Sequence, residues 1–259
     1  MMPTRYMGFI LAVAVAAPLS LAGCAGQDAR LVKGENIQVR VLQDGAAMET
    51  AAALAERGDR VYRQLRTFFA RDVPVPVTIK IDANARIARS FSARNAIVFP
   101  PRVVTGNNAI IAHEMTHLFM PENRSEALRE GIAVYAQDRF GEVPGYPNYG
   151  NDLDQLVVKR LSDGIGKDVG TFSAAEALFR HNRGTDSGGK RVSLDKVDAE
   201  ARRNAYLIAG SFVRYLFDDV LRSDMAAFKR LYTEGDYLRE TGMMLAALEA
   251  GWQRHIGLK

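Results

Sequence analysis

Residues 108–119 read N-A-I-I-A-H-E-M-T-H-L-F, and residues 123–136 read N-R-S-E-A-L-R-E-G-I-A-V-Y-A. Each stretch is read as a helix, and Pro121 separates the two. Ile110, Ile111, Met115 and Leu118 give the first helix apolar sides, while Asn123 or Ser125 can cap the second. His113 and His117 are i and i+4, so they share one face about 6 Å apart along the axis. Two imidazole nitrogens at that spacing can meet one Zn²⁺ at about 2.0–2.1 Å. Glu114 lies beside them, within reach of a water on the metal without being a ligand. The alternative is an amphipathic helix whose histidines only pack. The chain has four histidines, and two of them fall in this pattern.

A catalytic zinc takes three protein ligands and keeps one position open. Glu126 and Glu130 are i and i+4 on the second helix, so both are candidates. Glu130 lies a full turn inside and precedes Gly131, which lets two helix backbones approach closely. Glu126 lies in the first turn, where the helix dipole gives a carboxylate an independent reason to exist. Glu130 is the preferred third ligand and Glu126 the alternative. No H-x-x-G-x-x-H extension follows His117, so a third histidine ligand is not expected.

Upstream of this pair the pattern is strand-like. Ile37 to Val41 alternates, and so does Val75 to Ile81, where Pro74 and Pro76 suggest a start at a sheet edge. Ala46 to Phe69 reads as a long helix through Leu54, Val61, Leu65 and Phe68, and Ala96 to Phe99 as a short strand. From Asn107 onward helices dominate, over Asn108–Phe119, Ser125–Phe140, Asp152–Leu161, Ala174–Phe179, Asn204–Leu221, Met225–Tyr232 and Met243–His255. Ser173 to Glu176 has the form of a capping box. Gly141–Gly150 and His181–Val197 read as long loops. Strands first and helices later imply an α+β fold. Gly164–Lys167 lacks phosphate-loop spacing, and Ala209–Phe212 is not a nucleophile elbow; Gly210 instead permits helix packing.

Of 259 residues, 47% are hydrophobic and 25% charged, which excludes a disordered or polytopic membrane chain. The net charge of +4 is spread thinly, with no basic run interleaved with aromatics, so nucleic acid is not an expected partner. Cys24 is the only cysteine, so no internal disulfide can form. Arg5 is the only charge before Asp28, and an apolar run from Tyr6 to Ala17 leads to Pro18. Leu21-Ala22-Gly23-Cys24 then resembles a bacterial lipobox. That resemblance implies a signal peptide over 1–23, lipidation of Cys24, a membrane tether over 24–34 and a folded domain over 35–259. The domain divides into a strand-rich part, 35–106, and a helical part, 107–259. A simple secretory signal or an uncleaved anchor are the alternatives, since Tyr6 to Gln27 is uncharged and about long enough to span a bilayer. Ala25 stands where inner-membrane retention uses Asp, so the expected location is the outer membrane, facing the periplasm.

H-E-M-T-H, twelve intervening residues, then E-G-I-A-V-Y resembles the gluzincin metallopeptidases, the thermolysin-like MA type, in their compact bacterial form. Leu128, Glu130, Gly131, Ala133 and Tyr135 match the family's third-ligand segment, Ala205 to Leu216 matches a later helix, and Trp252 a late tryptophan. The resemblance covers roughly residues 35 to 256. It implies Zn²⁺ on His113, His117 and Glu130, with Glu114 as general base. Tyr206, Tyr135 and Arg214, in that order, are candidates to stabilise the oxyanion. Two features depart from the pattern. The Pro-x-Trp before the third-ligand helix is absent, and Val134 stands where the thermolysin-like pattern has an Asp that orients a ligand histidine.

The implied activity is hydrolysis of peptide bonds in envelope proteins or cell-wall peptides by a lipid-anchored zinc peptidase. The alternative is an inactive, zinc-stabilised envelope scaffold; an intact Glu114 argues against it. An extended peptide is expected to add to Ala96–Phe99 as an edge strand, under the loops Gly141–Gly150 and His181–Val197. The anchor has a direct test. Cys24→Ser abolishes acyl labelling and leaves a soluble or uncleaved precursor; a mature protein that begins elsewhere than at Cys24 rules the lipobox out.

Overall fold

The computed structural model describes residues 30–42, 46–183 and 198–258. Five strands form one mixed sheet: β1 (Arg30–Lys33), β2 (Ile37–Leu42), β3 (Val77–Asp82), β4 (Arg89–Phe91) and β5 (Ala96–Phe99), in the order β1-β2-β3-β5-β4. The inner pairs β2/β3 and β3/β5 are parallel, and the outer pairs β1/β2 and β4/β5 are antiparallel. Ile37, Val39 and Val41 alternate with Val77, Ile79 and Ile81 on one buried face. Helix α1 (Met48–Phe69) lies on that face through Leu54, Val61, Leu65 and Phe69. Gly58 sits mid-helix because a Cβ there would stand 3.0 Å from Ile37. Buried Asp59 accepts from the backbone N–H groups of Glu35, Asn36 and Ile37 at 2.9, 2.6 and 3.1 Å, and so ties the β1–β2 turn to α1.

A short helix α2 (Pro101–Thr105) leads into α3 (Ile111–Phe119) and α4 (Glu126–Phe140). There follow α5 (Leu153–Ser162), α6 (Phe172–Arg183) and α7 (Ala199–Arg214), which runs into a π-helical segment, Tyr215–Val220. Three helices close the chain: α8 (Met225–Glu234), α9 (Tyr237–Thr241) and α10 (Leu245–His255). The fold is α+β. Among the described residues no helix is long and apolar enough to cross a membrane.

Several expectations change. Residues 30–33, expected within the tether, form β1, because Arg30–Lys33 pair with Gln38–Val41. Val77–Asp82 is an inner strand; Pro74 and Pro76 precede it, and Val75 is exposed. Ala96–Phe99 is not an edge strand either. It lies between β3 and β4, and the edge is β4, three residues too short to carry an alternation signal. Ser173–Glu176 is not a capping box. Thr171 Oγ1 accepts from the Ala174 N–H at 3.1 Å, while Glu176 caps α4 by accepting from Ser125 Oγ and the Ala127 N–H, each at 2.7 Å. The loop 181–197 shrinks at its start, because α6 continues to Arg183; 184–197 lie outside the described residues. The signal peptide and Cys24 lie outside them too.

Two glycines set the separation of α4 and α7. A Cβ at Gly131 would fall on Ala209 O and on Val213 Cγ2, and a Cβ at Gly210 would fall on Val134 Cγ1. At the far end, buried Trp252 donates from Nε1 to Ser211 Oγ at 2.8 Å, and that hydroxyl donates to Asp154 Oδ1 at 2.5 Å. Because Ala209 O is backbone and cannot swing away, Gly131→Ala forces α4 and α7 apart. The expected loss of stability is about 1–3 kcal/mol, read as a lower urea midpoint; an unchanged midpoint contradicts the close packing.

Candidate metal centre

All nine residues of α3 are buried, His113, Glu114 and His117 included. The helix lies between the sheet side and α4, and polar groups fix it at both ends. Gln137 Oε1 accepts from the His113 N–H at 3.3 Å, and Ser92 Oγ donates to His117 O at 3.0 Å. The Ser90 hydroxyl bonds the Glu114 carboxylate. Ser90 lies on β4 and Ser92 just after it, so the sheet edge is stitched to the helix that carries the histidines.

Ser125 caps α4, accepting from the Leu128 N–H at 3.0 Å, and one turn further in Glu130 turns toward α3. Its Oε2 lies 3.4 Å from His113 Nε2 and 3.5 Å from His117 Nε2. A tetrahedral metal with donors at about 2.0–2.1 Å has donor–donor edges of about 3.3–3.4 Å, so both carboxylate–imidazole edges match. The three ligand atoms all lie within 4.8 Å of one another. His113, His117 and Glu130 thus form a buried group that could hold a metal ion. Glu126 is not part of it; it faces Arg129 at 3.5 Å and accepts from Asn123 Nδ2 at 3.4 Å.

The electrostatics suit a ligand set. Burial lowers the His117 pKa to about 4 against the pull of Glu130, so the imidazole is neutral at neutral pH, the form that ligates. Burial alone would raise the Glu130 carboxyl; His117, His113 and Arg129 outweigh it and hold it well below the usual range. Arg129 Nη1 sits 2.8 Å from Glu130 Oε1. The carboxylate is therefore divided, with Oε1 on the guanidinium and Oε2 on the imidazoles. Burial raises the Glu114 carboxyl above its ordinary value, Glu130 adds to the rise, and His113 opposes it.

His113 and Glu114 open onto a cleft of about 350 Å³ that is also lined by Tyr146, Tyr149, Arg202 and Tyr206. The Tyr206 ring lies 6.1 Å from the His113 ring and 5.3 Å from that of Tyr146. Burial pushes its phenol well above the ordinary value, so it remains an O–H donor. A larger hollow of about 760 Å³, by Asn123, Glu176 and Tyr237, touches neither histidine.

The other two oxyanion candidates are displaced from the cleft. Tyr135 donates to Asp218 at 2.8 Å and packs on Phe68 and Phe217, while Arg214 pairs with Asp152 at 3.1 Å. Val134 faces Gly210 on α7. The orienting role therefore stays unfilled, and the Nδ1 atoms of both histidines are buried without a protein partner among the described residues. Sequence reasoning missed Arg129, Ser90, Ser92, Tyr146 and Arg202. Arg129 adjoins the chosen ligand and was the one within reach; the others converge only through the fold. Comparison of the chain with protein-family models and with curated proteins finds no match.

The ligand assignment predicts an ordered series. His113→Ala, His117→Ala and Glu130→Ala lose bound metal, whereas Glu126→Ala keeps it, as read by elemental analysis after gel filtration. Arg129→Gln removes the guanidinium from Oε1 and weakens metal affinity about 10–100-fold in a chelator competition. Loss of metal in Glu126→Ala with retention in Glu130→Ala would reassign the third ligand.

Proposed function

We propose that the protein is a zinc-dependent peptidase of the gluzincin type, tethered by a lipidated Cys24 to the bacterial envelope and acting on extended peptides. One observation carries this reading. A single Glu130 oxygen lies at ligand spacing from two imidazole nitrogens, with a second, non-ligand carboxylate, Glu114, buried beside them at a cleft. His113, His117 and Glu130 would hold the zinc, which when bound would supply Lewis acidity toward a peptide carbonyl and toward water.

The chain's own residues do the remaining work. The Glu114 carboxylate, its pKa raised by burial, takes a proton from the attacking water and delivers it to the amine nitrogen as the C–N bond breaks. The Tyr206 O–H donates to the carbonyl oxygen as that oxygen gains charge. β4 offers unpaired backbone groups beside α3, so the peptide adds to residues 89–91 and not to 96–99. Tyr146 and Tyr149, from the loop expected to overlie the cleft, wall its far side. The Leu21–Cys24 tetrad and Ala25 support an outer-membrane anchor facing the periplasm. The same chemistry serves envelope proteins and cell-wall peptides.

A second reading, a zinc-stabilised scaffold without activity, draws on the unpartnered Nδ1 atoms. Such a scaffold has no use for a buried Glu114 at the cleft. Glu114→Gln separates the two readings, because the variant keeps its zinc in both. Against a panel of unfolded proteins, a peptidase loses activity by about 10²–10⁴-fold in this variant and by about 10²–10³-fold in Tyr206→Phe. Wild-type protein that holds zinc but cuts nothing decides for the scaffold.

A further inference from the structure

We propose that Arg202 is a specificity residue that binds a substrate carboxylate in the cleft beside His113 and Glu114; the inference rests on the peptidase reading. Arg202 and Tyr206 are i and i+4 on α7, so they share a face, and both line the cleft. Elsewhere in the helical part several arginines have carboxylate partners: Arg129 has Glu130, Arg160 has Glu200 and Arg214 has Asp152. Among the described residues Arg202 has none. It lies instead against the hydroxyl of Tyr146, which is buried and has no well-aligned partner of its own.

The wall that holds this pair is built. Arg203, the next residue, donates from Nε to Pro147 O at 2.9 Å and lays its guanidinium over the Tyr149 ring at 5.1 Å. Asn148 Nδ2 donates to Asp138 Oδ1 at 2.7 Å. One arginine thus pins the 146–149 segment to α7, and the other is left facing the cleft. At the opposite rim Arg102 donates to a carbonyl, that of Arg86, and not to a carboxylate. Among the described residues of the lining, Glu114 is the one carboxylate beside two guanidinium groups. A cleft so charged favours an anionic ligand, and the planar fork of arginine fits a carboxylate through two parallel hydrogen bonds.

Four residues of helix, about 6 Å along the axis, separate Arg202 from Tyr206, the residue beside the metal group. At about 3.3–3.4 Å per extended residue, the bound carboxylate belongs one to two residues from the cleaved bond. It is either a Glu or Asp side chain or the chain's own C-terminus.

Matched peptides distinguish these sources. One set exchanges Glu for Gln at each of the two positions on either side of the scissile bond, and the other exchanges a free C-terminal acid for the amide. Cleavage is followed with wild-type full-length protein, Arg202→Gln and Arg202→Lys. Binding of the same labelled peptides to Glu114→Gln and to the double variant Glu114→Gln/Arg202→Gln is read by fluorescence anisotropy. Metal content and circular dichroism check that each variant folds. The expected result is a preference for the acidic member of about tenfold or more, expressed mainly in KM. Arg202→Gln brings the acid-to-neutral ratio to about one, and Arg202→Lys retains part of it. A preference in the acid–amide set alone assigns the C-terminus; one in the Glu–Gln set alone assigns a side chain.

Equal handling of acidic and neutral peptides, or a preference that survives Arg202→Gln, overturns the proposal. Peptides that bind with the acidic preference but are never cut leave the carboxylate site standing and remove the peptidase reading. Peptides neither cut nor bound overturn both.

Discussion

Three buried polar groups on two helices must share a few ångströms of space around Glu130 Oε2, and the packing around them answers to that demand. A buried carboxylate is costly unless it is paired and hydrogen-bonded. Glu130 meets the condition with two imidazole nitrogens on one oxygen and the Arg129 guanidinium on the other. The arrangement works only if α4 comes close enough to α3 and stays there. Gly131 and Gly210 let α7 press on α4 from behind, and Ser125 with Glu176 fixes where α4 begins. The place of Glu130, one member of the three-residue group, therefore depends on residues that never touch it.

The sheet contributes on the other side. Its inner parallel strands bury Ile37, Val39, Ile79 and Ile81 under α1, while its antiparallel edge, β4, stays open toward α3. Ser90 and Ser92 join that edge to Glu114 and to the His117 carbonyl. Under the peptidase reading, one short strand both receives the substrate backbone and bonds the residue that moves the proton. Burial acts on both titratable groups at once. It keeps the His117 imidazole neutral and raises the Glu114 carboxyl above its ordinary value.

Much of this was legible in residues 113–130, for a definite reason. Helix periodicity is local, so two histidines four apart must share a face wherever the helix packs, and a glutamate one turn into the next helix is held by that helix. The α+β order followed from alternation in residues 37–41 and 77–81 and its absence after 107, again a local property. Tyr206 entered by resemblance alone, and its place beside His113 is decided by how α7 crosses α4. The misplaced edge strand has the same origin. Ala96–Phe99 carries an apolar run and two following prolines, but whether a strand is inner or outer depends on Arg89–Phe91, which has no pattern of its own.

The sequence by itself determined the histidine pair, Glu114 beside it and the two helices that carry the candidate ligands, because each rests on contacts within about one turn of chain. Tertiary structure alone decided that Glu130 and not Glu126 faces the histidines, that Tyr135 and Arg214 lie elsewhere, and that Arg202 and Tyr146 meet at the cleft. Those outcomes depend on the separation and rotation of packed helices. That geometry is set by glycine contacts and buried hydrogen bonds between residues far apart in sequence, such as Val134 with Gly210 and Ser125 with Glu176.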